Sequence, residues 1–189
     1  ALSPDGRHLV YRAGGGPPTV GTPMMVRATN ELDARQLPDI FALGVFFSPD
    51  SRWLGFFTPT ELKKVSIAGG PAISLGPVTG VSLGASWGDD NTIVFATTDP
   101  RTGLWRVSAD GGEPTALTMP DATQRGSDHG FPSVLPAGRG VLFTITAPGG
   151  PGGIDNAQVA VLDLETGQRK TLIRGGSSAE YVETGHLVY

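Results

Sequence analysis

One motif, a tight polar turn followed by an apolar run, recurs along the chain, and recurrence at a steady spacing constrains the fold more than any single residue does. It reads "SPDGRHLVY" (Ser3–Tyr11), "SPDSRWLGF" (Ser48–Phe56), "WGDDNTIVF" (Trp87–Phe95), "LPAGRGVLF" (Leu135–Phe143) and "YVETGHLVY" (Tyr181–Tyr189). The residue before each apolar run is Arg7, Arg52, Asn91, Arg139 and Gly185, so the copies lie 45, 39, 48 and 46 residues apart. A period in the forties is that of four-stranded propeller blades.

The physics inside each period is that of strands. Proline presets φ near −65°, Gly, Asp, Asn or Ser supplies the tight turn, and a β-branched or alternating run follows, as a hairpin requires. These are strands A and B of a blade. Further along come "LKKVSIAGGPAISL" (Leu62–Leu75), "LWRVSADGGEPTALT" (Leu104–Thr118) and "VAVLDLETGQRKTLI" (Val159–Ile173), each two short runs around a glycine-containing turn, with "MMVRATNELDARQL" (Met24–Leu37) as a looser copy. These are strands C and D. No amphipathic helical stretch with caps is present. The chain therefore reads as all-β, a β-propeller array of four-stranded antiparallel blades over 2–40, 41–79, 80–122 and 127–175, with a C-terminal stub over 176–189.

Composition narrows the partners. Glycine (28) and proline (16) make up about a quarter of 189 residues, which suits turns, while 39% hydrophobic residues suffice for a core. Net charge is −4 with no basic run, which speaks against nucleic acid. Without cysteine there is no disulfide, thiolate zinc site or cysteine nucleophile, and the redox compartment is not readable. No 18-residue apolar stretch exists, so no membrane insertion is expected of this segment. The opening "ALSPDG" has neither an initiator Met nor a signal-peptide pattern and reads as part of something longer.

The repeated strings resemble the TolB-like, WD-repeat-like β-propellers. Within that group they are most similar to the propeller region that follows the kinase domain in bacterial serine/threonine protein kinases, through "FFSPDSRWLGFF", "LKKVSIAGGP", "GASWGDDNTIVFA", "GLWRVSADGGEPTALT" and "TGHLVY". The resemblance covers nearly the whole chain and its motifs are specific for architecture. It implies a sensing or docking role, and an extracytoplasmic location if the parent is a receptor-like kinase. Six blades usually close the ring in that family, whereas four periods and a stub stand here. An open array exposes sheet edges, so two copies joined head to tail as a homodimer are expected to close the ring.

In this strand order the A–B and C–D turns lie on one side of a blade and the B–C and D–A connections on the other. The latter are Arg12–Pro23, Thr58–Leu62, Thr97–Gly103, Met119–Gly130 and Thr146–Asn156. Binding residues sit more often on irregular loops held by a rigid scaffold.

Four signals compete for chemistry. "GASWG" (Gly84–Gly88) matches the G-x-S-x-G nucleophile pattern at Ser86, but a strand rather than a helix follows, so the context is wrong. His8, His129 and His186 are numerous enough for zinc, yet His8 and His186 share one repeat position while His129 falls at the other end of a blade, and no close-spaced ligand pair exists. The glycine clusters Gly14–Gly16, Gly69–Gly70, Gly111–Gly112 and Pro148–Gly153 fit no phosphate-binding motif and read as turns. "GSDHGFP" (Gly126–Pro132) sets Ser127, Asp128 and His129 in a long D–A loop at the channel mouth, with Glu180 and Tyr181 on the next strand A.

Two readings follow. The first is a non-catalytic interaction or sensor module, presenting its loops to a protein, peptide or small-molecule ligand and needing no cofactor; the kinase elements that would make it catalytic are absent from the sequence. The second is a hydrolase of modest proficiency on small activated esters or phosphoesters. It would use Asp128, His129, Glu180 or Tyr181 for general acid–base work and draw on a divalent metal.

Overall fold

A computed structural model of the chain describes residues 1–13, 23–37, 44–99, 101–120, 128–146, 156–182 and 184–189. The glycine clusters Gly14–Gly16 and Pro148–Gly153, as well as Ser127 and most of three of the B–C and D–A connections, lie outside the described residues.

The described residues form antiparallel sheets in strict chain order. The first holds β1 (His8–Arg12), β2 (Met24–Ala28) and β3 (Arg35–Leu37), and the second β4 (Val45–Phe47), β5 (Trp53–Phe57), β6 (Glu61–Ser66) and β7 (Ile73–Pro77). The third holds β8 (Ser82–Trp87), β9 (Thr92–Thr97), β10 (Leu104–Ser108) and β11 (Thr115–Ala116). The fourth holds β12 (His129–Val134), β13 (Gly140–Ile145), β14 (Gln158–Asp163) and β15 (Arg169–Arg174), and β16 (Glu180–Val182) pairs with β17 (His186–Val188). The all-β propeller expectation is met. In the first sheet strand A is reduced to an isolated bridge from Leu2 to Leu9, with Ala1 and Val10 exchanging backbone hydrogen bonds of 2.7 and 2.8 Å.

Contacts divide the chain into two compact units, Ala1–Val78 and Thr79–Tyr189, and the division falls between the second and third sheets. In the first unit, Val10, Met24, Val26 and Leu37 of the first sheet pack against Phe47, Leu54, Phe56 and Val65 of the second. In the second unit, Val94, Ala96 and Leu104 meet Val141, Phe143, Ala160 and Leu162. Leu142, on the opposite side of β13, joins Val159 and Ala179 in a separate cluster with Leu187 against it. Strand β13 thus buries both faces, which is why its sequence "GVLFTI" is a continuous apolar run rather than an alternation. Each fully buried side chain of this size contributes ~1.5–3 kcal/mol.

The repeated A–B turn is held by the same hydrogen bonds twice. Ser3 donates its hydroxyl to Asp5 Oδ1 at 2.6 Å and accepts the His8 N–H at 2.8 Å, while Asp5 Oδ1 also accepts the Arg7 N–H at 3.0 Å. Ser48, Asp50, Arg52 and Trp53 repeat the pattern at 2.6, 3.0 and 2.9 Å. The turn residue takes positive φ in both, Gly6 at 70° and Ser51 at 61°. The Ser51 hydroxyl in turn accepts the Asp5 N–H at 3.1 Å, tying the first turn to the second. In the third sheet Asp90 alone carries the device, accepting the Thr92 N–H at 3.1 Å.

These bonds stabilise the ionised carboxylates. Ser3 first, then the Arg7 N–H, hold the Asp5 carboxyl below its ordinary value, and Ser48 and the Arg52 N–H do the same for Asp50. A carboxyl whose value is lowered on folding contributes stability that is present above its unfolded value and is lost as pH falls through the folded one. Ser48 is buried, so Ser48→Ala removes the hydroxyl's bonds to the Asp50 carboxylate and to the Trp53 N–H and carbonyl and is expected to cost about 1–2 kcal/mol in urea unfolding at neutral pH. The loss should shrink in acid, once Asp50 is protonated. An unchanged midpoint at neutral pH would show that the turn does not hold the hairpin.

Candidate functional site

A charged cluster at the B–C and D–A ends of the strands lies in the second unit, where the connection after β9 meets the start of β12. It is built from a turn. Asp99 Oδ1 accepts the Arg101 N–H at 3.0 Å, and the Arg101 guanidinium folds back onto the same carboxylate, Nε to Oδ1 at 3.0 Å and Nη2 to Oδ2 at 2.7 Å. These bonds, side chain first, hold the Asp99 carboxyl down to about 2. The guanidinium itself stays largely exposed while the carboxylate is 5% exposed. Thr102, in the same turn, has a buried hydroxyl with no partner among the described residues.

The sequence "SDHG" suggests a solvated loop, yet His129 is the first residue of β12 and is 2% exposed. The pairing runs back into the expected Met119–Gly130 loop as far as Asp128: Thr146 donates its N–H to the Asp128 carbonyl at 2.8 Å, and Asp128 donates its own to Thr146 Oγ1 at 2.8 Å. That pairing draws His129 into the sheet. Its ring packs 4.9 Å from Phe143, and its Nδ1 lies 2.7 Å from Thr118 Oγ1.

The Thr118 oxygen also accepts the Leu104 N–H at 2.8 Å, so one hydroxyl holds both the start of β10 and the His129 imidazole. Gly103 makes this approach feasible, because a Cβ there would overlap both His129 Nδ1 and Thr118 Oγ1. Burial, and secondarily Arg169, push the His129 pKa down to about 4. Burial likewise raises the Asp128 carboxyl, with Asp99 adding to the rise and the His129 N–H, bound to Oδ1 at 2.8 Å, opposing it.

The other sequence candidates fall elsewhere. Glu180 and Tyr181 open β16, both exposed, and among the described residues no hydrogen bond or ion pair joins them to Asp128 or His129. Ser86 lies in β8, and its hydroxyl accepts the Val134 N–H at 3.0 Å. A Cβ at Gly84, which has φ 104°, would lie only 3.3 Å from the Phe131 Cα, so the glycine leaves room for the close approach of β8 to β12. The G-x-S pattern is thus a packing device between the third and fourth sheets. His8 and His186 each begin a strand just after a turn, and His186 Nδ1 sits 3.1 Å from Thr184 Oγ1. Among the described residues no three His, Asp or Glu side chains gather as metal ligands. No described helix is long and apolar enough to cross a membrane.

The exposed charge of this cluster is the Arg101 guanidinium. A neutral, buried imidazole bonded to a threonine is poorly placed to take a substrate proton, and the Asp99 carboxylate is engaged by Arg101. Asp99, Arg101, Gly103 and Thr118 were not legible as site residues. The available signal was "TDPRTG" (Thr98–Gly103), an Asp-Pro turn whose aspartate caps its own backbone.

A histidine whose value is lowered on folding stays neutral in the fold while the unfolded chain takes up a proton. Stability therefore falls as pH drops from 6.5 towards 4, by about 3 kcal/mol across the window. Asp128, whose value is raised by burial, gives a slope of the opposite sign. His129→Gln, which keeps a polar partner for Thr118, should flatten the dependence between pH 6.5 and 4.5 in urea titrations. Gly103→Ala should destabilise the fold by ~1–3 kcal/mol at any pH through overpacking. An equal slope in wild type and His129→Gln would contradict the burial of a neutral imidazole.

No protein-family model matches the sequence, and no curated protein matches it. Solved structures do share the fold. TolB from Agrobacterium tumefaciens superposes with a TM-score of 0.69 at 20% identity, over 94% of this chain and 65% of that one. TolB from Acinetobacter baumannii gives 0.67 at 17% identity, over 92% of this chain and 42% of that one. A puromycin-hydrolyzing peptidase from Mycobacterium tuberculosis gives 0.64 at 19% identity, over 93% and 28%. The chain thus spans less than two thirds of the length of each of these proteins. At these identities the likeness is one of fold, and it shows the β-propeller architecture of TolB-like proteins.

Proposed function

We propose that this chain is a non-catalytic interaction or sensor module that presents its B–C and D–A connections to a protein, peptide or small-molecule ligand. The observation that carries this reading is the contrast between the two ends of the strands. At one end the first two A–B turns repeat bond for bond. At the other the B–C connections run from three residues, 58–60, to the far longer 146–157, and the exposed Arg101 guanidinium and the Asp128 carboxylate lie there. A fixed scaffold carrying variable, charged connections is the arrangement that recognition modules use.

The kinase association is carried by the quoted sequence motifs alone. Pairing of two copies to complete a ring is supported by the "HLVY" shared by His8–Tyr11 and His186–Tyr189, and sedimentation across a concentration series tests it. The hydrolase reading draws on the occurrence of the fold within a puromycin hydrolase, over 98% of this chain but only 32% of that one. The burial of His129 weighs against it.

Peptides selected for binding from a random library decide the matter. Binding should weaken at least tenfold in Arg101→Glu and Asp128→Lys and be unchanged in Glu165→Lys, at a C–D turn. The reverse pattern would place recognition on the turn side. Hydrolysis of p-nitrophenyl acetate above the buffer rate, lost in His129→Gln and on chelation, would favour the hydrolase.

A further inference from the structure

Strand D forms the outer edge of each sheet, and an open edge presents unpaired backbone N–H and C=O groups that invite another strand. Three of these edges are blunted. Strand β3 has three residues and β11 two, while β7 ends in Gly76 and Pro77, and proline has no N–H to offer. Strand β15 differs: Arg169–Arg174 is six residues long and holds neither glycine nor proline. It is bonded to β14 on one side, and no described strand lies on the other.

Charge is what guards this edge. The sequence "RKTLIR" carries three cations and no acid in a chain whose net charge is −4, and Arg169, Lys170 and Arg174 are all exposed. Among the described residues the ion pairs join Lys63 to Glu61 and Arg101 to Asp99, and none of the three cations enters one. The Arg169 guanidinium reaches only the Met119 carbonyl, at 3.5 Å. Register places the charges. Gln158, Ala160 and Leu162 alternate along β14 and share a face, so their partners Arg174, Thr171 and Arg169 share one too. Lys170 and Ile173, opposite Val161 and Val159, take the other face. A segment laid along β15 therefore meets two cations on one face, and one cation with apolar surface on the other.

Such an edge repels a second copy of itself, because like charges would stand side by side, but it attracts an anionic segment. The residues that prevent indiscriminate pairing thus also select a partner. We propose that the outer edge of β15 takes an extended acidic peptide segment of a partner protein as an additional strand. The segment's backbone bonds the open edge, and its carboxylates meet Arg169 and Arg174 on one face and Lys170 on the other. This surface is separate from the connections that carry Arg101 and Asp128, so the two readings are tested on different residues.

The test is titration of the ¹⁵N-labelled chain with acetyl-Thr-Glu-Val-Glu-Val-Glu-Thr-amide, whose glutamates share one face of an extended strand. Saturable amide shifts and slowed hydrogen exchange are expected along Arg169–Arg174. Affinity should fall at least tenfold for the twin peptide with glutamine in place of each glutamate. It should fall as much in the double variant Arg169→Glu, Arg174→Glu, where two attractions become repulsions. That variant should instead bind the lysine twin, a rescue that a misfolded chain could not give. N-methylation of the peptide at each Glu and Val keeps its charge but removes its backbone donors, and should abolish binding. Absence of saturable shifts at β15, undiminished binding of the glutamine twin or of the N-methylated peptide, or undiminished binding in the double variant would overturn the proposal. Shifts at β15 with vesicles of phosphatidylserine and phosphatidylcholine, but none with the peptide, would assign an anionic membrane surface and overturn it equally.

Discussion

A hydroxyl oxygen accepting a strand N–H is the interaction on which much of this structure depends. Ser3 takes the N–H of His8, Ser48 that of Trp53, Ser86 that of Val134 and Thr118 that of Leu104. The first two close hairpins, the third joins neighbouring sheets, and the fourth holds the end of the third sheet while hydrogen-bonding His129 Nδ1. Each satisfies a backbone donor that would be costly to bury unpaired. The small hydroxyl side chains make short turns and close sheet-to-sheet approach compatible.

From that constraint follows a division of labour. The turn side is specified by local sequence, because Ser, Pro and Asp in succession make their own hydrogen bonds whatever lies elsewhere. The middle strands bury residues on both faces, so the sheets stack through Val141, Phe143 and Leu142 rather than through isolated contacts. With both of these set, the connections at the other end are free to differ in length and charge. In the second unit the charged groups Asp99, Arg101 and Asp128 fall there.

The sheets were legible because their information is local. Turn residues at fixed offsets and apolar runs of strand length place β4 through β15 close to where they occur, and the "LETGQ" hairpin (Leu164–Gln168) between β14 and β15 is where its glycine predicts. The site was legible only in part, because its information is not local. His129 looks polar and exposed when read beside Asp128. Its burial is decided by Thr118 and Gly103, which belong to the preceding repeat and supply a hydroxyl and a space. Glu180 and Tyr181 share a repeat position with residues near the expected mouth, yet position in a repeat does not ensure contact. Nor does an even spacing reveal that contacts divide the chain between the second and third sheets.

The most direct test of the account is native-state hydrogen exchange read at individual amides. If hydroxyl acceptors fix the scaffold, the N–H groups of His8, Trp53, Leu104 and Val134 exchange as slowly as the ladder amides of the strands they belong to, and Ser48→Ala releases Trp53 while leaving Leu104 protected. Exchange of all four at the rate of the exposed Asp33 amide, or release of all four together by that one substitution, would contradict it.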